Sequence, residues 1–241
     1  MEIKAVPGRL RILSLNCNGV PNKLPVIWDL CQNADILLLQ ETWLLPADVG
    51  LLDSVHSDFS SFSISAVDDR ELLVGRPYGG LSFMWRKSLA PALKIVTFDD
   101  ERLLGISVKS TERELFILNV YLPCNNPDNF DLYILYIGKI CLILEDCDMG
   151  EIIIMGDFNV KPGCTLFDEW QRVCDNYALT FSDVSLLSPQ TFTHVNHGST
   201  TTSWIDHCLS SQTVHGSIAE ISVDKIYSLR IIVRLDRSLD S

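Results

Sequence analysis

The chain has 241 residues, 47% of them hydrophobic, and a formal net charge of −12. That composition argues against a disordered chain, and the acidic balance argues against a general nucleic-acid coat protein, which needs Lys and Arg to neutralise phosphate. An enzyme acting on nucleic acid through a local basic rim and a bound cation stays open, and the length suits one sizeable mixed α/β core.

The opening stretch MEIKAVPGRLRIL lacks the long apolar core of a signal peptide. Eight cysteines are present without a C-x-x-C pair, which disfavours a zinc knuckle and suits free thiols in a reducing compartment, buried as small hydrophobes. Residues 10–15, LRILSL, read as a strand, and 35–39, DILLL, as another. Between them 22–33 suits a helix, with Leu24, Ile27, Trp28 and Cys31 at helical spacing, so the three form a crossover unit. LLGISVKS (103–110) and ELFILNVYL (114–122) form an expected hairpin. DLYILYIGKICLIL (131–144) reads as a helix that buries most of its surface; it is short for a membrane span and carries Lys139. EIIIM (151–155) follows as a strand, and 192–195 and 203–209 as short strands around a polar loop. Layers of helix and sheet are expected rather than a purely parallel sheet, in a soluble intracellular protein, nuclear or cytoplasmic, without membrane contact.

Several of these apolar strands end in a polar residue. LRILSL ends in Asn16, DILLLQ in Glu41, ELFILNV in Tyr121, and EIIIMG in Asp157 and Asn159. Strand ends form the rim where ligands sit in layered α/β folds. Alternation puts Asp157 and Asn159 on one face, where a carboxylate can steer water and a neutral amide can donate to an anion. Glu41 suits a hard cation, which prefers oxygen donors. Each feature alone is ordinary: an Asp-x-Asn after Gly is often a turn.

The ordered set carries more weight. LNCNG (15–19), LLQET (38–42), RPYGGLSF (76–83), NVYLP (119–123), GDFN (156–159), TFTH (191–194) and SWIDH (203–207) resemble the endonuclease/exonuclease/phosphatase superfamily, most of all the apurinic-type endonuclease domain of LINE-type non-LTR retrotransposons. The resemblance implies a four-layer α/β sandwich, two facing mixed sheets flanked by helices, over residues 8–229, with 230–241 as a divergent tail. It implies phosphodiester hydrolysis on a DNA substrate with Mg²⁺, or Mn²⁺ in its place, and relatives that continue into a reverse transcriptase. Glu41 would ligate the metal with Asn16 beside it. Tyr121 and Asn159 would contact the scissile phosphate, and Asp157 would orient water or assist the leaving oxygen. Thr193 and Ser203 would lie on the substrate side, and Asp206 would hold a catalytic histidine.

That histidine is missing. The family closes on Ser-Asp-His before a final apolar strand, yet 224–241, DKIYSLRIIVRLDRSLDS, contains no histidine, and the match stops near Leu229. His207 follows Asp206 directly, so it faces the other side of the strand and reads as structural. RIIVR can still pair as an edge strand, although the C-terminal strand is expected to be altered or lost. The expected activity is therefore reduced or absent. Two other readings compete: a catalytically dead remnant that only binds, and a phosphatase of the same superfamily. Arg70, Arg76, Arg86 and Lys87 in the middle of the chain, and Arg230, Arg234 and Arg237 in the tail, are candidate DNA contacts.

Overall fold

The computed structural model describes residues 9–68, 70, 73–110, 113–146, 150–196, 201–224 and 230–236. In chain order the elements are β1 (Arg9–Asn16), α1 (Leu24–Asn33), β2 (Ile36–Gln40), β3 (Phe59–Ile64), β4 (Leu81–Arg86), β5 (Leu93–Thr97), β6 (Leu103–Lys109), β7 (Glu114–Tyr121), α2 (Phe130–Asp146), β8 (Glu151–Asp157), α3 (Thr165–Tyr177), β9 (Leu179–Phe181), α4 (Ser182–Leu186), β10 (His194–Val195), β11 (Thr202–Ser203), β12 (Asp206–Ser211), α5 (Gln212–Gly216), β13 (Ile218–Asp224) and β14 (Arg230–Asp236).

Two six-stranded mixed sheets face each other, ordered β13-β14-β1-β2-β4-β3 and β5-β6-β7-β8-β12-β9. Their facing side chains, among them Leu10, Ile12, Leu38, Phe83, Ile106, Ile117, Ile153 and Met155, form the inner core. Alternate residues of the same strands point outward: Leu13, Leu37 and Leu39 pack on Ile27, Leu30 and Cys31 of α1. On the other side Leu118, Val120 and Ile154 pack on Tyr133 and Ile140 of α2 and Trp170 of α3. Period-2 alternation with both faces covered thus builds the four layers that the resemblance implied.

The expected crossover unit, the 103–122 hairpin and the 151–155 strand are all present. Three expectations need correction. The segment 230–236 is neither lost nor an edge strand: β14 lies between β13 and β1, paired antiparallel to both. The 203–209 segment divides into β11, which pairs with β10, and β12, which joins the second sheet, because the chain changes partner at Trp204–Ile205. Helix α2 does not bury most of its surface: Leu132, Ile134, Leu135 and Leu142 face outward, since the helix packs on one side only. No helix among the described residues is long and apolar enough to cross a membrane.

Seven described cysteines are free thiols. Cys124 is exposed and Cys141 and Cys164 are partly so, so burial as a small hydrophobe does not hold for all of them. Cys147, loop residues 197–200, Leu229 and Arg237 lie outside the described residues.

Candidate active site

Parallel pairing brings the strand ends together. β1 runs parallel to β2 with Asn16 beside Gln40, and β7 runs parallel to β8 with Tyr121 beside Asp157. β12 runs antiparallel to β8, and its first residue, Asp206, lies directly opposite Asp157. Gly156 makes the β7–β8 approach feasible: its φ is 146°, and a Cβ there would come 2.1 Å from the Val120 carbonyl oxygen.

Asn16 is the link between the sheets. Its Nδ2 donates to Glu41 Oε1 at 2.8 Å and to Asp157 Oδ2 at 2.9 Å, and its Oδ1 accepts from the Asn18 amide at 3.1 Å. One amide therefore holds two carboxylates, from the turn after β2 and from the end of β8, at a single point. Glu41 reaches this point because the chain turns sharply after Gln40. Glu41 and Trp43 both have left-handed backbone, and Thr42 and Trp43 donate to the carbonyls of Gly80 and Gly79. A Cβ on Gly80 would lie 2.6 Å from Thr42 Oγ1, so the glycine pair in RPYGGL serves the close approach of the loop carrying Glu41. Among the described residues five non-glycine residues have positive φ, and four of them, Asn18, Glu41, Trp43 and Asn159, border this cleft. Conformations costing roughly 1–3 kcal/mol each gather where the fold needs side chains aimed at one place.

Asn159 arrives by a route alternation does not describe. β8 ends at Asp157, Phe158 turns into the core, and Asn159 takes a left-handed conformation with its N–H on Asp157 Oδ1 at 2.9 Å. Its Nδ2 donates to the Leu122 carbonyl at 2.9 Å. Thr193 Oγ1 accepts the amides of Ile205 and Asp206, each at 3.0 Å, and so fixes the start of β12. Ser203 joins through its backbone, its carbonyl accepting from Thr193 N at 2.9 Å.

The cluster is strongly acidic for its burial. Burial pushes the Asp157 carboxyl up to about 7; bonds from Asn159 N–H and Asn16 pull it down, Glu41 pushes it up, and His207 lowers it. Asp206 is raised well above the usual carboxylate range by burial first and by Asp157 second, against the hydrogen bond from Thr193. The Tyr121 phenol is raised by burial and then by Glu41 and Asp157, while the Arg102 guanidinium, 5.0 Å from its ring centre, opposes them.

Among the described residues no histidine hydrogen-bonds Asp157 or Asp206. His207 lies on the opposite face of β12, as alternation requires, and binds Asp183 and the Val160 carbonyl. His215 binds Ser182. Of the basic residues, Arg76 lies over the ring of Trp43 at 4.4 Å, beside the cleft. Arg86 and Lys87 do not line it: they sit at the far end of β4, Arg86 on Asp35 and Lys87 on the Ser57 carbonyl. Arg70 pairs with Asp68, and Arg234 with Glu220.

A match to the sequence pattern named Endonuclease/Exonuclease/phosphatase family covers residues 13–221. The chain belongs to the endonuclease/exonuclease/phosphatase family. No curated protein matches the sequence significantly. Among solved structures, the family fold recurs in a 3′ phosphatase, NExo, from Neisseria bound to product DNA hairpin: TM-score 0.70, 16% identity, 94% of this chain and 99% of that one covered. The AP endonuclease LMAP from Leishmania major superposes with TM-score 0.75 at 10% identity, covering 95% of this chain and 88% of that one. The endonuclease domain of TRAS1, a telomere-specific non-LTR retrotransposon, does so with TM-score 0.70 at 13% identity, covering 95% and 99%. At these identities the likeness is one of fold.

Several residues beneath and beside the family cleft carry little signal in the sequence. Gln40 donates to Ser14 and to Asn119, and Asn119 donates to the carbonyls of Leu39 and Ser82, so a buried polar bridge joins the two sheets under Asn16. Arg102 comes from the β5–β6 connection, where nothing nearby in the chain marks it. Gln40 stands next to Glu41, and a fully apolar strand ending in two polar residues is the one hint available.

Proposed function

We propose that the chain is a divalent-cation-dependent phosphodiesterase that nicks DNA, of the LINE-type retrotransposon endonuclease kind, with turnover reduced or lost. The observation that carries this reading is the single amide of Asn16 bonded to both Glu41 and Asp157, with Asp206 directly opposite Asp157. Acceptor oxygens of Glu41 and Asp157 converge there, and a cation is what such a cluster needs. The TRAS1 domain among the neighbours supports the retrotransposon branch, as does the role of RPYGGL in seating Glu41.

The donor chemistry fits magnesium, with manganese second. No three His, Cys, Asp or Glu side chains among the described residues form a ligand group. Magnesium sites that engage phosphate commonly use one or two carboxylates, water and phosphate oxygens, so Glu41 suffices as the protein ligand, with Asn16 orienting it. Bound there, the cation would neutralise charge on the phosphate or leaving oxygen.

The remaining residues divide the work. Asp157, held at Oδ1 by Asn159 N–H and at Oδ2 by Asn16, presents a carboxyl raised to about 7, a suitable range for taking a proton from an attacking water. Tyr121 and Asn159 flank it and donate to the phosphate. Thr193 and Ser203 lie on the substrate side of β12. Asp206 would hold a histidine in the correct tautomer, and no histidine among the described residues bonds it; loss of one member of such a set commonly costs about 10³-fold or more.

That gap also favours a second reading, a domain that binds DNA without turning it over. Nicking of supercoiled plasmid under Mg²⁺ separates the two. Slow nicking abolished by Glu41→Ala and by Asp157→Ala supports the enzyme. DNA binding with no nicking supports the remnant. Release of phosphate from a 3′-phosphorylated oligonucleotide without nicking supports a phosphatase instead.

A further inference from the structure

Behind the cleft, on the opposite face of β12, lies a polar cluster in a wholly apolar setting. His207 and Asp183 are both fully buried. Phe158 and Phe181 meet the imidazole edge-on, and Trp204 stacks on it. Nδ1 of His207 lies 2.7 Å from Asp183 Oδ2, and Nε2 lies 3.0 Å from the Val160 carbonyl oxygen. Asp183 also accepts Trp204 Nε1–H at 2.9 Å on Oδ2 and the Cys208 amide at 3.0 Å on Oδ1. Burying such groups is costly unless every one of them is bonded, and here they are.

The bonds end at informative places. Trp204 and Cys208 stand two residues before and two after Asp206, and one carboxylate holds both. Val160 follows Asn159, and His207 holds it from β12. The pair therefore spans the β12 segment that carries Asp206 and the turn that carries Asp157 and Asn159. We infer that His207, braced by Asp183, is a positioning residue that sets Asn159 and Asp157 against Asp206 by tying Val160 to β12.

This rests on the nuclease reading for its consequence in catalysis, but its test does not need activity. His207→Asn places an amide nitrogen near Nδ1, keeping Asp183 and losing Val160. His207→Gln reaches toward Nε2 and keeps Val160. Amide exchange of Asn159 and Val160 in His207→Asn should rise tenfold or more, while exchange in β6 and β7 stays within about twofold. His207→Gln should leave Asn159 and Val160 slow. Exchange that rises evenly over the sheet, stays unchanged, or is the same in both variants overturns the proposal. Where the unmodified chain nicks DNA, His207→Asn should lower kcat with KM for DNA nearly unchanged; an equal loss in both variants contradicts positioning. Failure of the unmodified chain to nick sinks the nuclease reading alone, and the exchange pattern still decides this one.

Discussion

Replacing Asp157 by Asn should make the protein more stable at pH 8, in the absence of divalent cations, while removing its chemistry. The Asp157 carboxyl is raised from an ordinary 3.8 to about 7 in the folded chain, with burial the largest cause. Between those values the folded state binds the proton that the unfolded state has released, so stability falls as pH rises through this window. The group costs nothing below about pH 4, and its full penalty is present above about pH 7. A shift of this size corresponds to about 4 kcal/mol. The Asp157→Asn side chain escapes that penalty but meets Asn16 Nδ2 with a second donor in place of Oδ2, which forfeits about 1 kcal/mol. The expected net gain is about 3 kcal/mol at pH 8, vanishing or reversing at pH 4. Urea midpoints of the two proteins at both pH values, with chelator present, measure it. A variant less stable at pH 8, or a difference independent of pH, refutes the claim that burial in the cleft holds this carboxyl raised.

The same geometry makes further predictions. Gly156→Ala puts a Cβ against the Val120 carbonyl at a backbone angle that disfavours side chains, and should lower unfolding free energy by more than about 3 kcal/mol in urea titration. Asn119→Ala removes the acceptor of Gln40 and two bonds across the sheets, and should cost about 3 kcal/mol, with faster amide exchange at the end of β2. Mg²⁺ should raise the melting temperature of the unmodified chain, and Glu41→Ala should remove most of that rise without lowering the melting temperature in chelator by more than a few degrees.

The layers were legible because alternation along LRILSL, ELFILNVYL and EIIIM is regular and strand ends concentrate polar residues. Asn16, Glu41, Tyr121, Asp157 and Asp206 lie where those strand ends meet. Less legible was anything created by pairing across long sequence distance. β14 reads as an edge strand because five alternating residues do not reveal that β13 will flank them. The solvent face of α2 carries Leu135 and Leu142, so hydrophobicity alone overstated its burial. Strand alternation puts Asn159 beside Asp157, and it does lie there, but it arrives through a left-handed turn held by Asp157. Arg86 and Lys87 follow RPYGGLSFMW closely in sequence, but six residues of extended strand carry them to the far end of the sheet. The His207–Asp183 pair joins positions 24 apart, and only its 2.7 Å contact exposes it.

As the proposed nuclease, the chain lacks a histidine bonded to Asp206 among the described residues. β14 begins at Arg230, paired opposite Leu15, the residue before Asn16. Replacing Tyr227, Ser228 and Leu229 by Ser, Asp and His puts the family's closing motif directly ahead of Arg230. Plasmid nicking under Mg²⁺ should then rise by about 10²- to 10³-fold over the unmodified chain and fall back on adding Asp206→Ala. Robust nicking by the unmodified chain that the new terminus leaves unchanged would contradict the account.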